Sequence, residues 1–275
     1  MELVAASKMR GAIVRMNNVR PYVEYANKII KNVVAASIDY PNPYLFQRDK
    51  KRVGYIVTST DRGLCGGLNI NLFKHMLKDI KKHLENRVEV DVCVIGLKAE
   101  TFFRKIKDVN VVATASYVEK DKEASIRMIG GAVQVMLDKF KAGEIDRLYL
   151  NSNQFVSTIK QQPRQQTLLP IDDIFTESEQ EANRKEASNG HWDYIYERDI
   201  EEVLNALCLR YIEAQVRGAV LENAACEQAA RMLAMKNATD NAGDIIDQLN
   251  LDYNKVRQAM ITQELAEICS GAAAV

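Results

Sequence analysis

The residues best placed for chemistry lie in Gly63-Leu64-Cys65-Gly66-Gly67. This loop follows an apolar run and precedes an amphipathic stretch, the position where phosphate-binding turns sit in α/β sheets. Its spacing matches neither G-x-G-x-x-G nor G-x-x-x-x-G-K-[ST], and no acidic residue completes a dinucleotide fingerprint. A tight structural turn is therefore favoured over a nucleotide site, with a partner-contact loop as the third reading. Cys65 could gain reactivity from a helix N-terminus, but a nucleophile needs a base within reach, and the sequence supplies no convincing one. His75 and His83 sit on a lysine-rich helical stretch that reads as a solvated face; with His191 they form no H-E-x-x-H. The 5 cysteines are scattered, without a C-x-x-C pair, so inert thiols are expected rather than a disulfide framework or a zinc site. Trp192, Tyr194 and Tyr196, beside Asp193, Glu197 and Arg198, form an aromatic cluster suited to core or interface packing more than to a ligand cage.

The elements that position these residues divide the chain in three. Short apolar runs at Val53–Val57, Val90–Ile95, Val109–Ala113 and Leu148–Leu150 alternate with helical patterns over Leu68–Leu84, 98–106 and 123–142. That alternation predicts a parallel α/β layer, Rossmann-like in its order of elements. Residues 160–190 are polar and read as exposed connections. All 5 prolines precede residue 171, which leaves the C-terminal third free to form one helix. From Asp199 to Ser270 only Gly218 and Gly243 interrupt good helix formers, enough for a rod of roughly 108 Å.

That rod carries a coiled-coil seam. Leu207, Tyr211, Ala214, Gly218, Leu221, Ala225, Met232, Met235, Ala242, Ile246, Leu249, Tyr253, Val256 and Met260 follow alternating steps of four and three, with Gln228 and Thr239 in the polar slots. Leu3–Ser37 also reads as helix, with Val4, Ile13, Met16, Ile29, Ile30 and Val33 near one stripe and Pro21 as an expected kink or break. This segment carries a net +4, whereas residues 199–275 carry −6, a charge difference that suits pairing of the two helices. The expected units are 1–52 (N-terminal helix and connection), 53–198 (α/β domain) and 199–275 (long helix, pairing with 1–37). No segment approaches the roughly 20 apolar residues of a membrane span, and the first residues do not read as a secretory signal. With 37 basic and 37 acidic side chains, net charge gives no reason to expect a nucleic-acid partner.

Several long motifs now carry a resemblance: Met1-Glu2-Leu3-Val4-Ala5-Ala6-Ser7-Lys8-Met9-Arg10, Arg20-Pro21-Tyr22, Ser59 to Asn69, Ala234 to Ala242 and Tyr253 to Leu265. Through them the chain closely resembles the gamma subunits of bacterial F-type ATP synthases over nearly its whole length. The resemblance implies an antiparallel coiled coil inside a hexamer of alpha and beta subunits. One copy per complex would turn with a membrane-embedded, proton-driven c-ring, on the cytoplasmic face of the inner membrane. It implies no catalytic site or cofactor of its own, because ATP, ADP and magnesium belong to the alpha and beta partners.

Carried over residue by residue, Arg257, Gln258 and Thr262 match positions that meet beta-subunit catch loops, and Met1 and Lys8 match the neighbouring part of the N-terminal helix. Tyr194, Glu197, Asp61, Arg62 and Gly63 match the foot that meets the epsilon subunit and the ring. The ending from Ile268 through Ala272 and Ala273 to Val275 is small and uncharged, as a low-friction apolar bearing would be. Family members usually begin with a further helical stretch before Met-Glu-x-Val, so part of the long helix is expected to lack a partner near its tip.

Overall fold

The computed structural model describes residues 1–36, 44, 48–49, 51–117, 122–171 and 200–273. Its sheet is built from β1 (Arg52–Thr58), β2 (Glu89–Ile95), β3 (Asn110–Ala115), β4 (Arg147–Phe155) and β5 (Gln161–Leu169). The strand order is β3-β2-β1-β4-β5. Four strands are parallel, and β5 runs antiparallel to β4. Three helices connect them: α2 (Leu68–Glu85), α3 (Leu97–Phe103) and α4 (Lys122–Lys141). The apolar runs become strands because both sheet faces are covered, so consecutive side chains can all be apolar and still be buried. Val53, Tyr55, Val57, Val92 and Val94 pack on one face against Leu72, Phe73, Met76 and Ile80 of α2 and Phe103 of α3. Ile56, Cys93, Leu148 and Leu150 face the other way, onto Val133, Met136, Leu137 and Phe140 of α4.

Two long helices, α1 (Glu2–Ala36) and α5 (Ile200–Ala273), account for the rest. α5 has 74 residues, a rod of roughly 110 Å. Its lower part is wedged between α1 and the α4 face of the sheet, where Tyr211, Ile212, Val216, Ala219 and Val220 join the same core as Ile30. The two helices are antiparallel: Gln215 bonds Asn27, and Gly218 lies against Val23, later on α5 but earlier on α1. A Cβ on Gly218 would stand 3.0 Å from Val23 Cγ2, so the missing side chain is what lets the backbones approach.

Three expectations need correction. Residues 161–169 form an edge strand, not an open connection; an edge tolerates Pro163 and the glutamines because half of its backbone and side chains need no buried partner. Of the kink or break expected at Pro21, the break is absent: α1 continues through it. Pro21 and Asn17, whose carbonyl loses its partner, are both exposed, so water can satisfy the carbonyl while packing on α5 holds the helix. On α1 the close face uses Ala5 and Ala12 with Ile30 and Val33, whereas Val4 and Ile29 are exposed. Small residues win at a tight helix contact, and simple apolar periodicity ranks them too low.

Candidate functional site

Two places hold the residues singled out by the sequence: the turn after β1 and the length of α5. The turn is a latch built on its own polar atoms. Ser59 N–H donates to Ile95 O at 2.7 Å, drawing the ends of β1 and β2 together. Gly96 has φ +107, and a Cβ there would fall 2.5 Å from Ser59 O, so no larger residue fits. Asp61 Oδ1 then accepts from Leu97 N–H at 2.9 Å, and Ser59 Oγ accepts from Ala99 N–H at 3.0 Å. The first turn of α3, an anion-binding position in many α/β sheets, is thus occupied by the chain's own side chains.

The Gly-rich part docks on α5. Asn69 Oδ1 accepts from Thr60 N–H, and its Nδ2 donates to Thr60 Oγ1 at 2.7 Å and to Cys65 Sγ at 3.5 Å. Leu64 (φ 62) and Gly66 (φ 58) turn the backbone through the left-handed region. Gly63 O accepts from Arg231 Nη2 at 3.2 Å, and Glu227 holds that guanidinium from one turn below at 2.5 Å. Cys65 and Leu68 pack on Cys226 and Ala230. Buried against Asn69 and Thr60, Cys65 has no described base beside it. Arg62 and Leu64 remain exposed.

Asp61, Arg62 and Gly63 sit level with Arg231, 31 residues along α5 from Ile200, or roughly 45 Å. They lie at the end of the domain where α5 emerges, because that is where the C-terminal ends of β1 and β2 point. Tyr194 and Glu197, with Trp192, Tyr196 and His191, lie outside the described residues. Arg231 itself was missed; its pairing with a turn 168 residues away leaves no local signal in the sequence.

From Lys236 to Ala272 every residue of α5 is exposed, a length of roughly 55 Å. Arg257, Gln258 and Thr262 lie here, as does Ile268, and Thr262 Oγ1 donates only back to Gln258 O within the helix, at 2.8 Å. Ala273 ends the helix, and Val275 lies outside the described residues. The antiparallel register brings Met1 level with about residue 240, so Met1 and Lys8 do not lie beside Arg257, Gln258 and Thr262.

A third cluster ties α2 to β5. Asp79 Oδ2 accepts from Tyr55 Oη at 2.7 Å and from Gln165 Nε2 at 2.9 Å, and His83 Nε2 lies 3.7 Å away. Burial raises the Asp79 pKa, but the bonds from Gln165 and Tyr55 and the charges of His83 and Lys82 together hold it below its ordinary value. Burial, then Asp79, push the Tyr55 hydroxyl far up. His75 is exposed as expected, but His83 is tucked against Tyr149, with ring centroids 6.4 Å apart. Position 83 falls three residues after Ile80 and seven after Met76, on the edge of the buried stripe. Among the described residues there is no group of three or more His, Cys, Asp or Glu placed to hold a metal, and no helix is long and apolar enough to cross a membrane.

Residues 1–275 match a family model described as ATP synthase. The chain is 84% identical over 275 residues to the ATP synthase gamma chain of Francisella tularensis subsp. novicida (strain U112), covering 100% of this chain and 92% of that relative. This chain belongs to the ATP synthase gamma family. The gamma chain of F. tularensis subsp. tularensis (strain SCHU S4 / Schu 4) is 83% identical over the same 275 residues. Among solved structures, a chain of the Tetrahymena thermophila mitochondrial ATP synthase central stalk and c-ring aligns with TM-score 0.63 and 24% identity, over 87% of this chain and 97% of that one. A chain of the Euglena gracilis mitochondrial enzyme aligns with TM-score 0.59 and 20% identity, over 99% and 94%. At such identities the agreement concerns the fold, and in this gamma-family chain it covers the sheet domain and both long helices.

Proposed function

We propose that this chain is the central rotor shaft of a proton-translocating F-type ATP synthase, a torque-transmitting part without a catalytic site of its own. The observation that carries this reading is the projection of α5: roughly 55 Å of continuous helix with every residue exposed, rooted in an α/β domain. A helix that long gains nothing from its own fold, because an exposed rod buries no apolar surface. Its exposed seam residues Ile246, Leu249, Val256 and Met260 need a surrounding surface. A hexamer of alpha and beta subunits supplies one, with one copy of the shaft per complex.

In this reading Arg257, Gln258 and Thr262 engage the beta-subunit catch loops as the shaft turns, and the basic part of α1 at Lys8 faces acidic beta-subunit segments lower down. The tip from Ile268 through Ala272 and Ala273 serves as the bearing, where small side chains keep any one angle from becoming a deep energy minimum. The epsilon subunit and the c-ring hold the opposite end, which puts the chain at the cytoplasmic face of the inner membrane as a peripheral component. ATP, ADP and magnesium act in the alpha and beta partners, and no nucleic acid takes part.

The test is ATP hydrolysis by a reconstituted alpha–beta assembly with and without this chain, read together with rotation of a bead fixed to the sheet domain. Unidirectional stepping that requires the chain is the expected result. A bound but motionless bead during turnover would make the chain a static tether, and hydrolysis by the chain alone would make it an enzyme.

A further inference from the structure

The contact between the sheet and the two long helices contains two kinds of interaction. Most of it is apolar: Tyr211, Ile212, Val216 and Val220 pack into the α4 core. Such contacts depend on area removed from water and have no preferred angle. Across this surface runs a line of side-chain amides. Gln166 Nε2 on β5 donates to Gln215 Oε1 at 3.2 Å, and Gln215 Nε2 donates onward to Asn27 Oδ1 on α1 at 2.6 Å. A single buried amide on α5 therefore joins the sheet edge to both helices. Two turns further along, Asn153 Nδ2 on β4 donates to Asn223 Oδ1 at 2.9 Å, and Glu222 Oε1 accepts from Phe155 N–H at 3.1 Å.

Gln215 and Asn223 are 5% and 4% exposed, and burying amides there costs desolvation that apolar side chains of similar size would avoid. Direction is what the amides add. At a helix surface radius of about 5.5 Å, a turn of about 20° around the axis carries a side chain about 2 Å sideways. A hydrogen bond of about 3 Å does not survive that displacement, whereas an apolar contact slides.

We infer that Gln215 and Asn223 are positioning residues that lock the angle of the shaft on the sheet domain, so that torque entering at one is delivered at the other without slip. This rests on the rotor reading. Angle is the quantity a rotor must transmit, and these bonds are directional ties from α5 to the sheet strands, joined by the Cys226 thiol, which donates to Asn153 O at 3.5 Å, and by the Arg231–Gly63 latch at the domain's upper end.

The experiment uses the complete complex with the hexamer fixed, the rotor stalled by a non-hydrolysable nucleotide and a bead on the sheet domain. The width of the bead's angular distribution reports torsional stiffness. Gln215→Met keeps the length of the side chain and removes both bonds; combined with Asn223→Leu it should raise the angular variance at least two-fold. Gln215→Glu still accepts from Gln166, and Asn27 can turn its amide to donate, so its variance should stay near that of the parent. Ile212→Val loosens the apolar packing alone and should also leave the variance unchanged. If Gln215→Met does not assemble, Asn223→Leu alone is read in the same way. Parental variance in the amide variants, or equal broadening by Ile212→Val, overturns the inference. A parent complex whose bead does not rotate in ATP, before the non-hydrolysable nucleotide is added, overturns the rotor reading instead.

Discussion

The lower and upper halves of α5 share one backbone and one stripe of alternating four- and three-residue steps, yet they are in opposite environments. Below, Tyr211, Ala214 and Ala225 are at most 3% exposed; above, Leu249, Val256 and Met260 are near 60%. A coiled-coil pattern therefore states only that a surface wants covering, and other parts of the molecule decide whether it is covered within the chain. The residues differ in size accordingly. Ala214, Gly218 and Ala225 allow α1 to come close along the lower half, while Ile246, Leu249 and Tyr253 present larger apolar side chains to solvent above it.

The sharpest way to break this comparison is to truncate one apolar side chain at each level of α5 and unfold the isolated chain in urea. Ile212→Ala, fully buried, should cost about 2–5 kcal/mol. Val256→Ala should stay within about 0.5 kcal/mol of the parent. Equal losses would mean that the upper half is covered in solution. Next in size, Gly218→Leu should destabilise by about 1–3 kcal/mol, because its side chain must enter the space held by Val23 Cγ2. A variant of parental stability would show that α1 and α5 can move apart freely.

The sheet domain offers a pH test that the upper helix should not share. Because the Asp79 pKa is lowered on folding, its contribution is fully present above the unfolded carboxylate value near 4 and is lost as pH falls through the lower folded value. Asp79→Asn should lower stability at pH 7 by about 1 kcal/mol and flatten the acid-side decline, seen as a reduced difference in urea midpoint between pH 6 and pH 3. An undiminished difference would place the acid sensitivity elsewhere. The smallest effect has the opposite sign: Gly243→Ala in the exposed half meets nothing within 4 Å and should stabilise by up to about 1 kcal/mol through helix propensity alone, raising the melting temperature slightly. A decrease would reveal a contact on that face.

These contrasts also mark what was legible beforehand. The strands β1, β2 and β4 could be read because strands covered on both faces are rich in consecutive apolar residues, as Val53–Val57 is and as Val90–Ile95 is apart from Asp91. The long helix could be read because nothing after Pro170 breaks it. β5 could not, since an edge strand made of glutamines carries no periodic signal and Pro163 argues against a strand at all. Ala5 and Ala12 were missed because the value of a small residue lies in the neighbour it admits. Asp61, Arg231 and Gln215 depend on partners 36, 168 and up to 188 residues away, and such pairings exist only once the topology is known.

The continuity of α5 has a further consequence for sequence change. No loop interrupts the helix between the latch at Arg231 and the surface around Arg257, so no segment can absorb an inserted residue. One extra residue in that interval would lengthen the rod by only about 1.5 Å but swing everything above it by about 100°. Seven extra residues would add about 10 Å and return the faces to within about 20° of their original bearing. For this part of the molecule, phase is the inherited quantity, and length can drift only in steps that preserve it.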